Sequence, residues 1–165
     1  MKKLTKILVI VVLAVGFFGC ATTKIDSVYK TGSEILKVGN EGTKLIKVWG
    51  YGKTPDIAIT DAKRNAVDVA IFKGFSAGGD SDKIFPIVSE DNSRIENKVF
   101  FDDFFKVGGK YLQYVNSKNY GVPSGKDRLK LKYGYNVAVS VSIEFDTLRK
   151  YLEEKGIARR LDEGF

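Results

Sequence analysis

The chain has 165 residues, a net charge of +7, one cysteine and no histidine. The lack of histidine excludes Ser-His and Cys-His nucleophilic sites and most zinc and iron centres. A single cysteine excludes an internal disulfide framework and a Cys-x-x-Cys motif. Basic and acidic residues are mixed along the chain without a dense basic block, so the composition does not indicate nucleic-acid binding.

The first twenty residues have the order of an export signal. "MKKLTK" is basic, "ILVIVVLAVGFF" is a continuous apolar run, and Gly19-Cys20 follow. This order is typical of a secretory signal peptide, and the run is short for a helix that crosses a bilayer. A transmembrane anchor is the alternative interpretation. Removal of residues 1–19 would leave 24 basic and 20 acidic residues, a net charge of +4.

The residues around the cysteine resemble a bacterial lipobox. Gly19 and Cys20 match it, whereas Phe17 and Phe18 replace the usual Leu and small residue. The resemblance implies lipidation of Cys20 with fatty acyl chains such as palmitate, and cleavage before it; several chains together give stable membrane attachment. Ala21, in place of Asp, implies sorting to the outer membrane. "ATTKIDS" carries no acidic run, which favours the periplasmic face.

The remaining chain is predicted to divide into a tether and one domain. Residues 20–32 form the lipidated cysteine and tether, 33–157 a single α+β domain, and 158–165 a loose tail. At the start of the domain, "SEILKV" and "TKLIKVWGY" flank the turn-rich "GNEG". Two apolar runs around such a turn predict a hairpin of short strands.

The tripeptide Gly-Lys-Thr at 52–54 ends like a phosphate-binding loop. Lys47 stands where the first glycine of such a loop would be required, and Pro55 has no N–H for a phosphate. Thr54 and Pro55 instead fit a helix cap and the first helical position. We therefore expect no nucleotide site, and a solvated Lys53.

A helix is predicted from Pro55 to about Phe72. Its alanines recur every four residues, which lets the helix approach a sheet closely. Ile57, Val67 and Ile71 interrupt the polar side and suggest a second packing contact. The predicted buried face consists of Ala58, Ile59, Ala62, Ala66, Val69 and Ala70.

The middle of the chain gives weaker patterns. "SAGGDSD" is predicted as a loop, and "KIFPIV", which contains a proline, as an edge strand at best. Residues 93–107 predict a helix that ends before Gly108-Gly109. "KYLQYVNSKNY" is predicted as a strand and "GVPSGKD" as a turn.

The strongest periodicity runs from Leu129 to Phe145, where every odd position is apolar or aromatic. This predicts one long strand with a single buried face. Asp146 is then expected to cap a short helix that Gly156 closes. The fold class is therefore α+β, a mainly antiparallel sheet with a long strand in its C-terminal half, packed by the alanine-rich helix and one or two further helices.

A strand that ends in Gly-x-Gly is followed by a helix of the form A-x-x-DA-x-x-NA, with the residues Gly50, Gly52, Ala58, Asp61, Ala62, Asn65 and Ala66. In these motifs the region from 43 to 157 resembles the N-terminal domain shared by the Lpp-twenty lipoproteins and the flagellar assembly protein T. The resemblance implies an envelope protein, often accessory to larger assemblies, with no established catalysis. Asp61 and Asn65 are expected to form hydrogen bonds at the helix–sheet boundary.

No catalytic, cofactor or metal site emerges from the remaining polar residues. Asp102 and Asp103 are adjacent and should point apart. "DSD" at 80–82 and "SEDN" at 89–92 lack the spacing of a calcium loop. "FFDDFF" is expected to fill the core. A surface aromatic patch for a partner is an alternative for the tyrosines at 111, 114, 120, 133 and 135.

These patterns predict a non-enzymatic, lipid-anchored outer-membrane protein that faces the periplasm. Its expected partners are the membrane, through Cys20, and another envelope protein that it serves as an accessory or assembly factor. The alternative is a periplasmic lipoprotein that binds a small ligand or peptidoglycan. An aromatic or charged cleft would favour the alternative, and an exposed sheet edge or apolar patch the first interpretation.

Overall fold

The computed structural model describes residues 32–38, 42–76, 83–88, 93–118 and 121–160. Cys20, the signal segment and most of the tether lie outside these residues, as do the loops at 80–82 and 89–92. The elements, in chain order, are β1 (Ser33–Val38), β2 (Thr43–Gly52), α1 (Pro55–Phe72), α2 (Ser93–Glu96), α3 (Lys98–Phe104), β3 (Val115–Ser117), β4 (Arg128–Leu131), β5 (Gly134–Glu144) and α4 (Phe145–Glu154).

The strands form one antiparallel sheet in the order β1-β2-β5-β3, and β4 also pairs with β5. The expected α+β class is therefore confirmed, as is the hairpin of β1 and β2. β2 and β5 form the centre, in register from Thr43 opposite Glu144 to Gly52 opposite Tyr135. Helix α1 packs on one face of these two strands.

Helix α1 begins as the sequence predicts. Thr54 is the cap, and its hydroxyl accepts the Ile57 N–H at 3.3 Å, with Pro55 in the first turn. The four alanines of the predicted face are buried, together with Val67 and Ile71 from the second packing contact, whereas Ile59 and Val69 are half-buried. Ile57, which was expected to join that contact, is instead 52% exposed because it lies on the solvent side of the first turn.

The predicted strand from Leu129 to Phe145 is wrong in extent. A turn at Lys132 and Tyr133 divides it into β4 and β5, and residue 145 begins a helix. Leu131 lies opposite Gly134, and Leu129 opposite Asn136. Because opposite residues share a face, the odd residues of β4 lie on the face of the even residues of β5.

Within β5 the predicted face is correct. Val137, Val139, Val141 and Ile143 are all buried. The helix α1 covers this face, which explains why every member of the row is apolar. The opposite face is partly covered as well, since Asn136 and Ala138 are also buried.

Two local predictions between 93 and 120 need correction. The single helix is divided at Asn97 into α2 and α3. The predicted strand at 110–120 begins as a 3-10 turn, Lys110–Tyr114, and only Val115–Ser117 pairs with β5. Tyr111 and Tyr114 are both buried, and residues three apart share one side of a 3-10 helix. Contact of both tyrosines with the core therefore favours a 3-10 turn over a strand in this segment.

The C-terminal helix also differs at its start. Asp146 lies inside α4 and its side chain forms no cap; its backbone N–H donates to the Gly42 carbonyl at 3.4 Å. The expected end is correct, since Gly156 has φ of +68° and follows the last turn. Ala158 is buried with Ile157, so the packed core extends one residue past the predicted domain boundary.

The segment 83–88 is not a full strand. It pairs only where Ile84 meets Phe75. The Ile87 and Val88 N–H groups then donate to carbonyls near the end of α1, at 3.1 and 2.9 Å. The segment thus satisfies helix carbonyls that have no partner within the helix.

Candidate functional site

Helix α1 lies directly on the backbone of β2. A Cβ at Gly50 would lie 2.2 Å from the Ala62 nitrogen and 2.3 Å from the Ala58 oxygen. A Cβ at Gly52 would lie 2.4 Å from the Ala58 nitrogen. Glycine on the strand and alanine on the helix are therefore both needed for this close approach.

Two polar side chains of α1 form hydrogen bonds with the backbone of β2, along the part of its edge that lies beyond the start of β1. Pairing with β1 ends where Val48 meets Ser33. Past that point the Asp61 carboxylate accepts the Tyr51 N–H at 2.9 Å, and the Asn65 amide donates to the Trp49 carbonyl at 3.1 Å. These bonds stand in for a neighbouring strand.

The same residues are linked to each other and to the sheet centre. The Asn65 amide also donates to the Asp61 carboxylate at 3.2 Å. On the other side of β2, the buried Asn136 amide donates to the Gly50 carbonyl at 3.0 Å. The expected hydrogen-bonding role of Asp61 and Asn65 is therefore confirmed.

This junction positions a groove between α1 and the segment from α2 to residue 107. Two adjoining cavities of about 500 and 660 Å³ share Arg64, Phe105 and Val107. We call this surface the α1–α3 groove and define it by Tyr51, Ile57, Arg64, Ile95, Phe105, Val107 and Tyr111.

The rims of the α1–α3 groove carry exposed aliphatic residues. Ile57 is 52% exposed, Ile95 75% and Val107 98%. Side chains of this kind scattered singly need no explanation, but a group along one groove marks a contact surface. The floor is formed by Phe105 and Tyr111, which are buried.

The floor belongs to a larger aromatic cluster. Phe101, Phe104 and Phe105 of the "FFDDFF" run are buried, which confirms their expected role in the core. Phe104 stacks at 6.2 Å on Tyr151 and lies edge-on to Phe105 at 5.0 Å. The two carboxylates of the run face apart and pair with different lysines, Asp102 with Lys98 and Asp103 with Lys106.

Most charges of the groove are already paired. Arg94 forms an ion pair with Asp68 at 2.5 Å and lies over the Phe72 ring. Arg64 lies 5.7 Å from the centre of the Phe105 ring, and it makes no ion pair within the part of the chain that the structure describes. Its guanidinium is exposed between the two cavities.

Tyr111 places a phenol beside the groove. Burial raises its pKa above the usual value, the Arg64 charge acts to lower it, and Asp61 acts to raise it. The pKa of Tyr114 is also raised, first by burial. Both phenols therefore stay neutral and act as apolar rings with polar tips near neutral pH.

The predicted tyrosine patch is wrong as one surface. Tyr111 and Tyr114 are in the core, while Tyr133 is 73% exposed at the β4–β5 turn. Tyr135 is half-buried, and Tyr120 lies outside the described residues. Sequence patterns did not reveal the groove; the only signal was Ile57 on the polar side of α1.

Lys53 is exposed at the start of α1, as expected for a solvated loop lysine. Within the described ranges, no three His, Cys, Asp or Glu residues lie close enough together to hold a metal ion. None of the helices described is both long and apolar enough to cross a membrane. No protein-family model matches the chain, and no curated protein or solved structure is significantly similar to it.

Proposed function

We propose that this protein is a non-enzymatic envelope lipoprotein that binds another envelope protein through the α1–α3 groove. The order of basic segment, apolar run and Gly19-Cys20 supports an anchor at Cys20. Ala21 supports the outer membrane, and the non-acidic segment after it supports the periplasmic side. The anchored domain would then serve as an accessory or assembly factor.

The observation that carries the binding proposal is the exposure along the groove. Ile57, Ile95 and Val107 are mostly exposed around buried Phe105. Burying such side chains against a partner releases about 25 cal/mol for each Å² of apolar surface removed from water. Aromatic residues and arginine are also the types that contribute most at protein interfaces.

The groove also indicates what the partner offers. Arg64 is exposed between the two cavities, lies over the Phe105 ring and makes no ion pair among the described residues. A carboxylate from the partner could pair with it bidentately while apolar side chains fill the cavities. We therefore propose a partner segment that carries apolar residues and at least one Asp or Glu.

Binding without catalysis is supported by the residues available. The chain has no histidine, and its one cysteine is assigned to the anchor. Asp61, a carboxylate that lines the groove, accepts hydrogen bonds from Tyr51 and Asn65. Those bonds give the carboxylate a structural role at the junction of α1 and β2.

The binding test compares substitutions at two valines that are both highly exposed. Val107 lies in the groove, whereas Val99 is 86% exposed on α3 and outside the groove lining. Full-length Val107→Asp should lose crosslinking to its partner in cells, while Val99→Asp should keep it. Both should melt like wild type, since both sites are exposed. Equal crosslinking by the two variants would refute the groove as the binding surface.

The anchor is tested separately. Cys20→Ser should abolish incorporation of a fatty-acid analogue and leave the unprocessed precursor. Labelling of the variant at the wild-type level would show that Cys20 is not the lipidation site. Turnover of an envelope substrate by the purified protein would contradict the non-enzymatic proposal.

A small-ligand role is a second candidate, because the 500 Å³ cavity combines Tyr51, Tyr111 and Arg64. Aromatic rings beside a cation suit a sugar or peptide with a carboxylate. Calorimetric titration with soluble peptidoglycan fragments tests it. Saturable binding that Arg64→Ala removes would favour this candidate over the protein partner.

A further inference from the structure

One end of the sheet presents a turn to solvent. The β4–β5 turn consists of Lys132 and Tyr133, and the Tyr133 side chain is 73% exposed. The Tyr51 hydroxyl donates to the Tyr133 carbonyl at 2.9 Å, which holds the turn against the end of β2. Lys53, also exposed, follows β2 at this end.

The strand that leads to this turn is basic. Asp127, the residue just before this strand, is paired with Lys47 at 2.6 Å. The side chains of the basic residues are exposed, so their charges face water. We define the hairpin end as the β4–β5 turn, the basic residues along β4 and just before it, and the lysine that follows β2, which are Lys53, Lys126, Arg128, Lys130, Lys132 and Tyr133.

The N-terminal side of the domain reaches the same end. The Gly32 carbonyl accepts the Trp49 N–H at 3.4 Å, and Gly32 lines one cavity of about 400 Å³ together with Lys126. Twelve peptide bonds separate Gly32 from Cys20, and they span at most about 40 Å. A lipid at Cys20 therefore keeps Gly32, which lies beside the hairpin end, within about 40 Å of the bilayer.

We propose that the hairpin end rests on the membrane and contacts anionic phospholipid headgroups. This inference rests on the proposed anchor at Cys20. Each lysine or arginine near an anionic bilayer raises the affinity of a protein for that bilayer about fivefold. Tyrosine is favoured at the membrane interface, where its ring and its hydroxyl meet different environments. This contact would orient the domain with α4, at the far end of the sheet, toward the periplasm.

The test uses full-length lipidated protein in vesicles with and without anionic lipid. Because acylation consumes Cys20, a cysteine introduced at position 133 is the only free thiol and can carry a spin label. Tyr133→Cys retains the Tyr51 contact, which uses the backbone carbonyl. Its label should collide with lipid-soluble oxygen in anionic vesicles. A label at Thr147→Cys, which is exposed at the far end, should collide only with a water-soluble nickel reagent.

Charge reversal provides the control. In the Tyr133→Cys background, Lys130→Glu with Lys132→Glu should reduce the oxygen collisions at least fivefold. Lys150→Glu with Lys155→Glu, an equal change on the exposed side of α4 and its end, should not. Oxygen access that is equal at positions 133 and 147, or unaffected by either charge reversal, would overturn the proposal.

The two proposals fail in different ways. Mass spectrometry of the N-terminal peptide shows whether Cys20 is acylated, and an unmodified thiol would refute the anchor. The labelled protein, with Cys20 then changed to Ser, can still be added to vesicles from solution. Oxygen access at position 133 would support a lipid contact without the anchor, and water access would refute the contact itself.

Discussion

The carboxylate of Asp61 accepts the backbone N–H of Tyr51 at 2.9 Å. One turn later on α1, Asn65 donates to the Trp49 carbonyl. The helix thereby supplies an acceptor and a donor to the part of β2 that β1 does not reach. These two bonds fix the position of α1 along β2. Because α1 forms one wall of the α1–α3 groove, they also fix the position of that wall.

Asp61→Ala should lower the free energy of unfolding by about 1–2 kcal/mol, at the lower part of the range for bonds to charged groups because the site is half-exposed. Asp102→Ala, which removes a solvent-exposed ion pair within α3, should cost less than about 0.5 kcal/mol. Urea denaturation of both variants provides the measurement. Equal losses would mean that the Asp61 bond contributes no more than a surface pair.

Gly50→Ala should destabilise the protein more than either change. The added Cβ would meet helix backbone at 2.2 and 2.3 Å, and backbone cannot move aside without displacing α1. We expect a loss of about 3 kcal/mol or more in the free energy of unfolding. Asn116→Ala, at an exposed strand position, is the control and should cost less than about 1 kcal/mol. A Gly50→Ala protein with an unchanged melting temperature would contradict the close packing.

The buried face of β5 is tested by introducing an aspartate at either of two adjacent positions, 139 and 140. Val139 is buried under α1, so Val139→Asp buries an unpaired charge and should cost about 4 kcal/mol or more. Ser140 lies opposite Lys47 on the other face, and Ser140→Asp should cost less than about 1 kcal/mol. Thermal melting distinguishes them, and similar melting temperatures would show that the register is wrong.

Alkaline stability should depend on Tyr111. Its pKa is raised by burial from 10.0, so the unfolded chain loses the phenol proton at a lower pH than the folded protein does. The contribution of Tyr111 to stability is complete below pH 10 and is lost as the pH rises through the folded pKa.

The measurement is urea denaturation at several pH values from 8 to about 11.5. Tyr111→Phe keeps the ring and removes the proton, so its stability should fall less steeply above pH 10 than that of wild type. Below pH 9 the difference between the two proteins should be constant. Identical slopes above pH 10 would show that the phenol is not protected by burial.

Local signals in the sequence determined several elements of this protein. Thr54 and Pro55 define the start of α1, because capping depends on neighbouring residues only. The alanine spacing of α1 indicated that this helix could approach a sheet closely, and the tetrapeptide "GNEG" indicated the β1–β2 hairpin. The alternation in β5 indicated its buried face, because a strand repeats every two residues.

Other features depended on contacts between distant parts of the chain. The alternation of apolar and polar residues continues unbroken through Lys132 and Tyr133, because both faces of the sheet carry apolar residues there. Only the pairing of the strands in the folded protein shows that β4 and β5 are separate. The residues of 110–120 suit a strand, in which Tyr111 and Tyr114 would face opposite sides. The aromatic cluster instead places both in the core through a 3-10 turn.

The α1–α3 groove could not be predicted from the sequence patterns. Ile57, Ile95 and Val107 belong to three separate segments, and each is an ordinary apolar residue in its own sequence context. Local periodicity reports which side of one element is apolar, but it does not report which elements meet. Only the tertiary packing of α1 against the segment from α2 to residue 107 leaves these three side chains exposed along one surface.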